Sequence, residues 1–305
     1  PSVRVVVSCI DDAAVKEDSS EKKVLTALDS RHPQPKRIPL GPLTGDDVHT
    51  IVTSYLKEYC KELDAPHVDA ICDEKKLPQA RNPLYLLVML AELRTLGGND
   101  MNQVVPELIA GMGAKHPDTI SLFKWVLKRM EAAEGFGAAG TGWWCLYLAL
   151  GRTGMAGREL ADLLARKLGS EGDVTALRIE RGLRRYLQRR GEMLDVFHGQ
   201  LRQAIFESYG HEESIREAHR DIADYFLSLA DPSQDKRWQG GQQRPFSEIA
   251  FHLIGAQQWD ELCAYLTNFR CLDRRIRAGQ VFEVVTDQRA ALAALPELVE
   301  EAKRE

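Results

Sequence analysis

The run Val3 to Cys9 (VRVVVSC) constrains this chain more than any other segment. It is continuous and β-branched, the pattern of a strand buried on both faces of a parallel sheet. A parallel sheet needs several such strands joined by crossovers, and no second convincing run of this kind occurs. The expected fold class is therefore mainly α, with one strand left from a sheet whose other strands lie on a longer chain. The opening on Pro1 instead of Met fits a processed chain or a fragment.

Helical signals fill the rest. Residues 16 to 42 are charged and then proline-rich, with room for one short helix around Lys22 to Leu28. Thr44-x-x-Asp47 is a capping box opening a helix whose face carries Val48, Ile51, Val52, Tyr55, Leu56, Tyr59 and Leu63. Asn82 caps the next helix and Pro83 occupies its first turn, with Leu84, Leu87, Leu90 and Leu93 spaced down to Gly97-Gly98. A further amphipathic helix spans Thr119 to Ala133. Gly135 to Gly142 (GFGAAGTG) is the clearest linker. Behind it come Trp143–Leu150, a helix from Gly157 to Leu168, a third from Val174 to Arg189, and a short strand, Glu192 to Phe197. Three helices followed by a β element outline a winged helix. From Leu201 the spacing predicts helices over 201–209, 213–229, 246–254, 259–269 and 281–304, with a polar loop over 233–245.

Composition excludes several classes. Forty basic against forty-five acidic residues give −5, so no global field draws the chain to nucleic acid or an anionic membrane. The apolar runs at 83–91 and 143–150 fall short of the roughly 18 to 20 residues a membrane span needs. Six scattered cysteines without a C-x-x-C read as reduced thiols of a cytoplasmic protein. No Gly-Lys dipeptide exists, hence no phosphate loop, and neither G-x-G-x-x-G after a strand, H-E-x-x-H nor G-x-S-x-G occurs. No metal site and no catalytic residue is assigned.

At Arg81-Asn-Pro-Leu-Tyr-Leu-Leu-Val-Met-Leu-Ala-Glu-Leu-Arg94 the chain resembles the segment after the nucleotide-binding core of NACHT-type STAND NTPases, in the subgroup of telomerase-associated and nephrocystin-type proteins. Other pieces follow in that family's order. Val5-Val-Val-Ser8 resembles the sensor-1 strand, Leu40-Gly-Pro-Leu43 the proline turn, and Gly154-x-x-Gly-Arg-Glu-Leu160 a winged-helix motif. Phe197-His198-x-x-Leu-Arg202 resembles the winged-helix histidine motif, His219-Arg-x-x-Ala-x-Tyr-Phe226 the following helix, and Glu248-Ile-Ala-Phe-His-Leu253 with Trp259 and Leu262 the helical tail. The resemblance implies four parts: residues 1–42 as the remnant of a P-loop ATPase core, 43–134 as a helical lid, 143–200 as the winged helix, and 201–305 as a helical-repeat-like tail. The phosphate loop and Walker B aspartate would precede residue 1.

Nucleotide-binding roles follow from that resemblance for Ser8, Leu43, Pro83 and His198. Pro83 would pack its rigid ring on adenine, or serve plain helix initiation. His198 would reach the β-phosphate of ADP, or be a buried histidine bonded to backbone. Ser8 would approach the γ-phosphate and the attacking water, or merely end a strand. Leu43 would wall the adenine, or act as a hydrophobic staple. The implied cofactor is ATP or ADP with Mg2+, whose ligands lie upstream. The implied function is a nucleotide-dependent switch and oligomerisation scaffold in defence signalling, closed with ADP and opened by ATP. Its partners would be the upstream ATPase half, further copies of itself and an effector or ligand protein. Alone, the chain would not hydrolyse ATP.

A different class competes. Arg178, Arg181, Arg185 and Arg189, with Arg184 and Arg190, crowd the third helix of the expected winged helix, where DNA readers place their recognition helix. A winged-helix DNA-binding regulator is the alternative, and a plain helical adaptor the third.

Overall fold

The computed structural model describes residues 20–32, 35–38, 40–96, 117–132 and 136–302. The expected strand at Val3–Cys9, and Ser8 with it, lies outside these residues, as does Gly97-Gly98. The chain divides into two units, Pro1–Pro42 and Leu43–Glu305. In the first, helix α1 (Ser20–Asp29) is described, and Arg37 forms an ion pair with Asp29.

The second unit is mainly helical. Helix α2 (Gly45–Glu58) begins at the expected capping box: Thr44 Oγ1 accepts from the Asp47 N–H, and Asp47 Oδ2 accepts from the Thr44 N–H. Its Val48, Val52 and Leu56 are buried, while Ile51 and Tyr59 stay exposed. The expected continuation to Leu63 does not form. Cys60 turns the chain with φ 54°, and a separate helix, α3 (Ala65–Cys72), follows. The Lys61 N–H donates to the Leu56 carbonyl and the Cys60 N–H to that of Lys57, a Schellman turn that closes the helix.

Helix α4 (Pro83–Leu93) is capped by Asn82, whose Oδ1 accepts from the Leu84 and Tyr85 N–H groups. Tyr85, Leu86 and the whole run 88–93 are buried, and Leu87 of the expected leucine stripe is exposed. The helix is enclosed on most of its circumference, with α2 on one side and α5 (Thr119–Ala132) on another.

Helix α6 (Ala138–Leu150) is the hub of the core, in contact with α5, α7 (Gly157–Leu168), α8 (Gly172–Leu183), α9 (Gly199–Tyr209) and α10 (Glu212–Ala230). The expected linker over 135–142 is corrected in its second half, since Gly140, Thr141 and Gly142 belong to this helix and are buried. A Cβ at Gly140 would meet Thr175 Cγ2 at 2.9 Å, and one at Gly142 would meet the Tyr209 ring at 3.2 Å. These glycines admit neighbouring helices. They do not loosen the chain.

Three short strands, β1 (Met155–Ala156), β2 (Leu187–Arg190) and β3 (Met193–Val196), form an antiparallel sheet in the order β1-β3-β2. The expected helix from Val174 to Arg189 is also corrected. It spans Gly172–Leu183, passes through a 3-10 turn at Arg184–Tyr186, and gives way to β2. The hairpin closes from Arg190↔Met193 to Leu187↔Val196, and Gly191 supplies φ 63° in its turn. That ladder satisfies the backbone groups a longer helix would have used. Beyond α10 come α11 (Arg244–Gly255), α12 (Trp259–Thr267), α13 (Phe269–Arg277) and α14 (Val281–Ala302). α13 is absent from the sequence reading, and Asn268 starts it by accepting from the Arg270 and Cys271 N–H groups. No disulfide joins the described cysteines, and no helix among the described residues is long and apolar enough to cross a membrane.

Candidate functional site

Leu43 and Pro83 lie together. The Leu43 N–H donates to the Arg81 carbonyl at 2.9 Å, and the Arg81 guanidinium donates to the carbonyls of Leu43 (3.4 Å) and Cys72 (3.0 Å). The first turns of α2 and α4 therefore begin beside one side chain, and the positive ends of both helix dipoles share that corner. Pro83 is exposed at the first position of α4, and Leu43 is half-buried. An exposed rigid ring beside an apolar side chain offers a flat contact for a planar group.

His198 occupies the N-cap position of α9, just after β3. Phe197 packs edge-on against it at 4.5 Å and is itself 57% exposed. Partial burial lowers the His198 pKa below the ordinary histidine range, so the ring is neutral at pH 7 and offers one donor. The β3–α9 junction is tied to the last turn of α4. The Phe197 N–H donates to the Tyr186 carbonyl, Tyr186 Oη donates to Glu92 Oε1 at 3.2 Å, and Arg129 pairs with Glu92 at 2.6 Å. Pro83 opens α4 at its other end, about 14 Å away along the helix axis. Thus Arg81 ties Leu43 to the residues just before Pro83, and the junction bearing His198 is anchored one helix length away.

The arginine group divides among three elements. Arg185 donates to the Ala91 carbonyl, and Arg189 on β2 pairs with Glu180 at 3.0 Å. Arg178 and Arg181 on α8 are exposed, without a hydrogen-bond or ion-pair partner among the described residues. A cleft of about 420 Å³ is lined by Glu180, Arg181, Arg184, Leu187, Arg189 and Leu194.

Sequence reasoning missed a buried polar cluster. Arg244 on α11 pairs with Glu159 at 2.7 Å and with Glu248 at 3.1 Å, and donates to the Gly154 carbonyl at 2.7 Å. Glu248 also accepts from Thr153 Oγ1 at 2.9 Å, while its other oxygen faces His252 Nε2 at 3.4 Å. His252 Nδ1 lies 2.9 Å from His219 Nδ1. Of these two Nδ1 atoms one donates and the other accepts, so at least one ring is neutral. Beside this chain, Arg152 and Arg275 both hold Asp287, the former at 2.8 Å and the latter at 2.5 Å. Glu248, His252, Asp287 and Arg275 are all buried. Burial drives the His219 pKa down to about 3 and also lowers that of His252, while His252 and Arg244 hold the Glu248 carboxyl below its ordinary range. The cluster clamps the 151–154 segment and the start of α7 to α11 and α14. No group of three or more side chains suited to a metal ion occurs among the described residues. The legible signal was the four-residue spacing of Arg244, Glu248 and His252 on one helix face.

No family model matches the chain, and neither a curated protein nor a solved structure matches it.

Proposed function

We propose that the chain is the regulatory portion of a NACHT-type STAND ATPase, a nucleotide-dependent switch and oligomerisation scaffold in defence signalling. Residues 1–42 are then the remnant of a P-loop ATPase core, 43–134 the helical lid, 143–200 the winged helix and 201–305 the helical tail. The observation that carries this reading is the position of the histidine-bearing β3–α9 junction. It is held by polar contacts, through Tyr186, Glu92 and Arg129, on the very helix that Pro83 opens. A lid helix contacted at one end by a base and tied at the other to a phosphate-sensing histidine couples nucleotide identity to the winged helix. ADP engages Leu43, Pro83 and His198. ATP exchange removes the His198 contact, and the winged helix and tail expose surfaces for further copies and for an effector protein. The mechanism needs only a difference in affinity of the two nucleotides for the closed and open states. The phosphate loop and the Mg2+ ligands belong to the upstream ATPase half, and the setting is cytoplasmic.

Acid release of bound nucleotide from the parent protein and from its His198→Ala variant tests this. Near-stoichiometric ADP in the parent and its loss in the variant is the expected result. An absence of nucleotide from both contradicts the reading.

The DNA-reader alternative retains Arg178, Arg181 and Arg184, exposed and without partners among the described residues, although Arg185 bonds to the Ala91 carbonyl and Arg189 pairs with Glu180. Three phosphate contacts give a log–log salt slope of about −3 for duplex binding. Binding that ignores salt removes this alternative.

A further inference from the structure

The 231–243 segment and α13 border a second basic site, open to solvent and unrelated to the nucleotide corner. The segment is tightly specified. The buried Asp231 carboxylate accepts from the backbone N–H groups of Lys236 (2.8 Å) and Trp238 (3.3 Å). Arg274 of α13 donates to the carbonyls of Trp238 (2.9 Å) and Gly240, and lies 5.0 Å over the Phe246 ring. Within this short stretch Gln234, Lys236 and Trp238 have φ of 52°, 61° and 57°. Each non-glycine residue in that region costs about 1 kcal/mol or more, so such a loop persists only where its surroundings over-determine it.

That strained path turns Trp238 inward, 5.2 Å from the Tyr265 ring, and leaves its neighbour Arg237 outward. Arg237 then faces Arg270 and Arg277, which lie seven residues apart on one side of α13. The notch between them measures about 380 Å³ and is lined by these three, Trp238, Asp273 and Arg274. Asp235 holds Arg237 at 3.1 Å and Asp273 holds Arg277 at 2.9 Å, fixing both while leaving donors of each guanidinium open. Arg270 has no side-chain partner among the described residues. The four arginines here outnumber the two acids, Asp235 and Asp273, on a chain of net charge −5.

We propose that this notch binds a phosphate-bearing small ligand, with Arg270 and Arg277 as bidentate donors from the helix and Arg237 from the loop. Planar guanidinium forks match phosphate oxygens in pairs, and the volume admits a di- or triphosphate group. The guanidinium groups around the rim fit a multiply charged ligand.

Calorimetric titration of the 305-residue chain with sodium tripolyphosphate at about 50 mM salt tests this, since that ionic strength leaves exposed charges only partly screened. One saturable site is expected. Arg270→Gln with Arg277→Gln weakens it about tenfold or more, through loss of charge-assisted pairs. Arg237→Gln alone, on the other wall, weakens it as well. Arg178→Gln with Arg181→Gln on α8 leaves it unchanged, and a hexaglutamate peptide binds far more weakly. The absence of saturable binding, an equal loss in the α8 variant, or equal affinity for hexaglutamate overturns the proposal.

Discussion

His219 and His252 share one hydrogen bond inside the unit, and neither ring accepts a proton readily there. The unfolded chain takes up protons at these rings near pH 6.5, whereas folded His219 resists down to about pH 3. Stability is therefore complete above pH 6.5 and falls as the pH drops through that window. His219 alone removes about 1 kcal/mol between pH 6.5 and 5.5. The lowered pKa of Glu248 adds a loss of the same sign at more acidic pH. Urea unfolding at pH 7.5 and 5.5 shows this step in the wild type, and His219→Gln removes its share. A flat wild-type profile contradicts the assignment of neutral, buried rings. The histidine pair was not legible at the residue level, because His219 and His252 are 33 positions apart and only the packing of α10 on α11 joins them. Leu43 and Pro83 posed the same difficulty. Each stood in a motif, yet their proximity rests on the Arg81 carbonyl and guanidinium.

Among elements, α11 carries the most consequential side chain. Arg244 neutralises Glu159 and Glu248 together, and both carboxylates are buried. Arg244→Met leaves them uncompensated, and a loss of about 3–5 kcal/mol follows. Arg216→Met removes an exposed pair with Glu212 and costs about 0.5 kcal/mol or less. Denaturant midpoints of the two variants, with unchanged slopes, check the contrast. Equal effects contradict the description of Arg244 as a buried clamp. Legibility also varied by element. The starts of α2 and α4 were readable because Thr44, Asp47, Asn82 and Pro83 act locally on adjacent backbone groups. Strand β2 was not. Leu187-Gln-Arg-Arg190 has no apolar alternation, and its ladder with β3 decides its state. The glycines at 140 and 142 misled for the opposite reason, since close helix approach and chain flexibility call for the same residue.

Across the whole molecule, the proposed winged helix is clamped on two sides. Tyr186 and Arg185 fasten it to the end of α4, and Glu159, Thr153 and Arg152 fasten it to α11 and α14. These ion pairs and hydrogen bonds add to the apolar packing of α6 on α9 and α10. In the proposed switch, nucleotide identity controls the opening of the winged helix. Hydrogen–deuterium exchange on the parent protein, loaded with ADP or with a non-hydrolysable ATP analogue, tests it most directly. Slower exchange with ADP at the β3–α9 junction and over 151–154 is the expected result. Identical exchange in the two states would contradict a nucleotide switch in this chain.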